Sequence, residues 1–196
     1  MFDSTTHSPG SFDRKFSVVT LDGAHAPHDY RNRFYRQPTS DPDRLVIGAS
    51  GSNVDLLGTL AARFAEQPYF VLYVLLVSHT EHKLGRYQSP SLSFEELWAF
   101  LDQHREFLEG DGRHHVWVGS PGADLLVYDQ HDLIFAYGSL DAFEDVLLNR
   151  GFTEEEFWIP APHSHSFPPA NIPRQEALLD HFPWQHFDLQ PGDEWE

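Results

Sequence analysis

The chain has 196 residues, 40% of them hydrophobic, with 16 Phe, 7 Tyr and 5 Trp; that supplies the core of one domain and excludes a wholly disordered polypeptide. Cysteine is absent, which removes disulfides, thiolate nucleophiles and Cys-ligated metal clusters and fits a reducing, cytoplasmic setting. The net charge of −17 lies wholly in the second half, since residues 1–86 balance 9 acids with 9 bases whereas 87–196 set 21 acids against 4; such a field repels nucleic acid and anionic membrane and attracts a basic protein.

Residues 1–14 are polar and read as a flexible leader, without the basic and apolar regions of a signal peptide. Phe16–Leu21 reads as a first strand. Residues 22–43 hold Pro27, Pro38 and Pro42 with arginines between aromatics, the composition of a long irregular loop. Leu45–Ile47 is a short strand, followed by a Gly/Ser turn and a helix from Asn53 to Phe64 with Val54, Leu57, Leu60 and Phe64 on one face. Tyr69–Val77 is apolar throughout and half the length of a membrane span, so it reads as a central strand buried on both faces.

A second helix begins at the capping box Ser93/Glu96 and carries its apolar stripe through Phe94, Leu97, Trp98, Leu101 and Leu108. Residues 114–137 read as a three-strand meander, with a first turn centred near Pro121 that places His114 opposite Tyr128. A third helix is expected from Ser139 to Gly151, and Thr153 with Glu154, Glu155 and Glu156 reads as another acidic first helical turn. Seven prolines between 160 and 191 then break the chain, leaving one short helix near 174–181. The expectation is a single α+β domain over 15–159, with a mixed or antiparallel sheet, about three helices and an added meander. A Pro/aromatic-rich arm over 160–196 packs on it.

Three constellations carry possible function. The strand–turn–helix Gly48–Asn53 resembles the opening of a dinucleotide-binding unit, where glycines admit a pyrophosphate at a helix N-terminus. It lacks the third glycine, because Val54 stands there, and the acidic ribose ligand some twenty residues on. Histidine is the second signal, with thirteen in the chain, about three times ordinary usage. The pairs are 79/82, 114/115 and 163/165. The meander gathers His114, His115, Asp129 and His131 toward one sheet end, a donor set for Zn²⁺ or another divalent metal, although His114 and His115 point to opposite faces. No Ser/His/acid motif for nucleophilic catalysis is intact.

The third constellation is the acidic surface: Glu95, Asp102 and Glu106 on helix two, Asp141, Glu144 and Asp145 on helix three, then Glu154, Glu155 and Glu156. It reads as a docking face for a basic partner of the kind an inhibitor or immunity-type protein blocks, with no cofactor needed. A non-enzymatic binding protein is thus the first functional expectation, a His/Asp metal protein or metal-dependent enzyme the second, and a nucleotide module the third. Oligomeric state is left open.

Overall fold

The apolar run at 69–77 forms β5 (Phe70–Leu75), and its neighbours build outward from it in a computed structural model that describes residues 14–40 and 42–193. The expected leader lies outside the described residues apart from Arg14. β7 (His114–Gly119), β8 (Leu125–Tyr128) and β9 (Ile134–Tyr137) are the meander, but they are no appendage: they join β5 to β4 (Arg44–Gly48) in the middle of one nine-stranded sheet. That sheet is completed by β6 (Gly85–Gln88) and β12 (Gln185–Phe187) beyond β5, and by β3 (Arg33–Gln37) and β10 (Thr153–Glu154) beyond β4. Every pairing in it is antiparallel except β10 with β3, so the fold is α+β with a mixed sheet. A second sheet of three short strands, β1 (Phe16–Val19), β2 (His25–Pro27) and β11 (His163–His165), runs in the order β11-β1-β2.

Alternation along the strands divides the core in two. Leu45, Ile47, Tyr73, Val116, Leu126, Tyr128 and Ile134 turn one way and pack with the helices. These are α1 (Asn53–Ala61), α2 (Phe94–Gln103), α3 (Arg105–Gly110), α4 (Leu140–Asn149) and α5 (Ile172–Leu179). Val46, Val127 and Phe135 turn the other way and pack with Phe16 of β1, Tyr30 and Phe157. The small sheet therefore lies over the face that the helices leave open.

Several expectations are corrected. Among the described residues there are five α-helices where three and one short arm helix are expected, because the stripe after Ser93 breaks at His104, whose non-helical backbone separates α2 from α3. The capping box itself is present, with Glu96 N donating to Ser93 Oγ and Ser93 N to the Glu96 carboxylate. The supposed loop 22–43 contains β2 and β3; Arg33, Tyr35 and Gln37 alternate with Phe34 and Arg36, and Phe34 alone of these is fully buried. Thr153–Glu154 is extended rather than helical, since its backbone pairs with β3. The meander register slips by two residues, with Val116 rather than His114 opposite Tyr128, because the first turn centres one residue later than Pro121. A slip of two preserves the faces, so His114 and His115 still point to opposite sides.

Candidate metal centre

The turn between β8 and β9 fixes the first functional side chain. Asp129 Oδ1 accepts from the backbone N–H groups of His131 (2.9 Å) and Leu133 (3.0 Å), the local bonding that makes Asp a turn residue. Asp132 adopts the left-handed conformation, φ 66°, and its carboxylate takes hydrogen bonds from Tyr128 Oη (2.6 Å), Asn53 Nδ2 (2.9 Å) and Arg14 (3.3 Å). The Tyr30 hydroxyl donates to the His131 carbonyl at 3.1 Å. A turn held at this many points gives the His131 ring one direction to face.

Two more imidazoles come from β11. His163 and His165 are two residues apart on a strand, so both point to the same side, opposite Val18 and Phe16 of β1. Ring centroids of His131, His163 and His165 stand 5.3, 5.0 and 5.4 Å apart with interplanar angles of 69–84°. One ring nitrogen from each lies within 4.8 Å of the other two. The Phe16 ring covers the triangle from one side, with centroids 5.2–5.9 Å from all three.

The protons in this group are placed by its hydrogen bonds. His131 Nδ1 meets Asp129 Oδ2 at 2.7 Å, His163 Nδ1 the Pro160 carbonyl at 2.9 Å, and His165 Nδ1 the Gln130 carbonyl at 3.1 Å. A carbonyl or carboxylate oxygen only accepts, so each Nδ1 carries the hydrogen and each neutral ring keeps its lone pair on Nε2. No hydrogen bond reaches any of these three Nε2 atoms among the described residues. Three imidazoles that each meet an oxygen through Nδ1 and leave Nε2 without a donor, close enough together for one nitrogen of each to share an ion, form a donor set that a metal cation completes, with Asp129 as the orienting carboxylate.

The spacing fits. With a Zn–N distance of about 2.05 Å and each ring centre about 1.1 Å behind its nitrogen, three imidazoles on a tetrahedral ion have centroids about 5.1 Å apart. The observed centroid separations of 5.0–5.4 Å bracket that figure. Burial pushes the His165 pKa down to about 4, reinforced by neighbouring His131, so the ring is neutral and ready to ligate at pH 7. Burial raises Asp129, but the hydrogen bond and charge of His131 outweigh it and hold the carboxyl below its ordinary value.

Of the four residues expected to ligate a metal, His131 is in this group and Asp129 behind it. His115 and His114 are not. His114 lies on the helix face between Tyr73 and Phe107, with burial holding its pKa well below the ordinary value. His115 points to the opposite face, its pKa lowered to about 4 chiefly by burial, and neither of its ring nitrogens has a hydrogen-bond partner among the described residues. His163 and His165 are the residues that sequence reasoning missed; their signal was the His-x-His alternation within a segment set aside as an irregular arm.

The expected docking carboxylates are partly spent on arginines. Arg36 binds Asp141 (2.7 Å) and Glu144 (2.9 Å), Arg33 binds Glu155 (3.2 Å), Arg105 binds Asp102 (2.8 Å) and Arg174 binds Glu106 (2.7 Å). Glu95, Asp145, Glu154 and Glu156 have no ion-pair partner among the described residues. At the Gly48–Asn53 turn, Glu109 Oε1 accepts from Val54 N (2.9 Å) and from Ser52 Oγ (2.5 Å). A carboxylate of the chain thus takes up donors that a phosphate at this helix N-terminus would need. No family model, curated protein or solved structure matches the chain at a significant level.

Proposed function

We propose that this chain is a metal-binding protein that holds one divalent transition-metal ion, of the zinc type, on His131, His163 and His165. The observation that carries the reading is the shared bonding pattern: each ring meets an oxygen through Nδ1 and has an Nε2 without a hydrogen bond among the described residues, and one ring nitrogen from each lies within 4.8 Å of the other two. Imidazole nitrogens with no thiolate suit Zn²⁺, Ni²⁺ or Cu²⁺ better than Ca²⁺ or Mg²⁺. Three protein ligands leave a fourth position, the composition of a centre that acts as a Lewis acid on bound water. His163 and His165 are half-buried rather than sealed. Equilibrium dialysis of tag-free protein against Zn²⁺ tests the reading. One equivalent is expected for the wild type and for His114→Ala, and substantially less for His163→Ala and His165→Ala; equal retention by all four sinks it.

A second reading, docking of a basic protein on the acidic surface, is supported by the carboxylates without an ion pair and by the net charge. It expects a basic partner that associates at low salt and is released at about 0.5 M salt, where screening is nearly complete. Association that survives high salt counts against it.

A further inference from the structure

On the face of the large sheet that packs with Phe16, a cleft of about 370 Å³ opens between β3, β4, β9 and the chain at 157–159. Its lining includes Tyr35, Val46, Phe135 and Phe157, and Trp158 stands at its rim, 75% exposed. A large apolar ring left in water beside a recess lined by three further aromatics is a surface made for stacking. The volume is at the small end of ligand pockets and admits a body of about two fused rings.

Charge narrows the occupant further. The chain's net charge of −17 disfavours the approach of an anion. Within the lining, the Arg44 guanidinium lies 4.3 Å from the centre of the Phe135 ring and donates to Gln37 (2.8 Å) and Tyr137 (2.9 Å). The lining also holds one carboxylate, Asp129, so its own charges are of both signs and favour neither a cation nor an anion. We propose that this cleft binds an uncharged, flat aromatic molecule of bicyclic size, stacked on Trp158. The amide of Gln37 and the hydroxyl of Tyr35 edge the cleft and supply polar contacts to ring substituents. The cleft adjoins the metal centre through His131 and Asp129, which border both, whereas His163 and His165 do not line it.

Three probes of one shape test the inference on the full chain by calorimetry, with and without Zn²⁺: 2-naphthol, 2-naphthoate and naphthyl-trimethylammonium. The expected result is one-to-one binding of 2-naphthol, at least about tenfold tighter than either charged probe, weakened about tenfold by Trp158→Ala. Trp158 is so exposed that its replacement leaves the fold intact. His163→Ala and His165→Ala are expected to bind 2-naphthol like the wild type even where they lose Zn²⁺, so failure of the metal reading and failure of this one are distinguishable. No binding, binding indifferent to Trp158→Ala, preference for either charged probe, or loss of binding in the histidine variants overturns the proposal.

Discussion

Lowering the pH from 7.5 to 5 removes a large part of the stability of this protein, through histidines that are neutral in the fold. Burial holds His104 and His115 at about 4 and His114 well below its ordinary value, and His165 follows at about 4. In the unfolded chain each titrates near 6.5. A histidine whose folded pKa is depressed costs nothing above 6.5, and its penalty grows as the pH falls from 6.5 toward the folded value, because only the unfolded state takes up the proton. At pH 5 each fully buried ring contributes about 2 kcal/mol of destabilisation. His104, His114 and His115 together lose about 6 kcal/mol, with a smaller share from half-buried His165. That is comparable with the whole stability of a typical domain, about 5–15 kcal/mol. Asp129 and Asp193 add nothing in this window, since both are held below their ordinary values and lose their contribution only at lower pH. Urea unfolding at pH 7.5, 6 and 5, followed by circular dichroism without metal, measures the effect, and His114→Phe is expected to reduce the pH slope by about one proton. Stability at pH 5 within about 1 kcal/mol of that at pH 7.5 would refute the reasoning.

Other expectations concern single positions. Arg113 and Asp111 form a 2.6 Å pair with both side chains fully buried, and Arg113 also reaches Gln175 and the Pro168 carbonyl, so Arg113→Ala leaves a buried carboxylate uncompensated and costs about 3–5 kcal/mol in urea unfolding. A loss below about 1 kcal/mol contradicts this. Gly48 sits on β4 where an added methyl would run into Tyr30 Cβ, and Gly48→Ala is expected to cost about 1–3 kcal/mol by overpacking. Zn²⁺ at about 100 times its dissociation constant adds about 2.7 kcal/mol, which raises Tm by about 5–10 °C in a chain of this size. The shift is expected to vanish in His165→Ala, and its persistence there places the ion elsewhere.

The sequence revealed structure where one local pattern dominates. The run at 69–77 and the capping box at Ser93 each announce their conformation, and His131 was legible as a metal candidate because the meander gathers it with Asp129 at one sheet end. What long-range pairing decides was not legible. Arg33–Gln37 reads as loop beside its prolines and becomes strand because Val46 and its neighbours offer an edge. Thr153–Glu154 has helical first-turn chemistry, yet β3 captures its backbone. For the same reason the structure brings together only part of the expected donor set, His131 with Asp129 behind it. His163 and His165 lie over thirty residues from His131 in a Pro-rich stretch, and only the pairing of β11 with β1 carries them to the turn. Nor was it legible that Arg33 and Arg36, both in the neutral half, reach across to Glu155, Asp141 and Glu144.

Titration of tag-free protein with Co²⁺, read by visible absorption, tests the three-imidazole centre most directly. The account predicts one equivalent bound with the strong visible bands of low-coordinate cobalt, lost in His131→Ala, His163→Ala and His165→Ala and retained in His114→Ala and His115→Ala. Weak octahedral-type absorption in the wild type, or bands that survive in the three ligand variants, would contradict it.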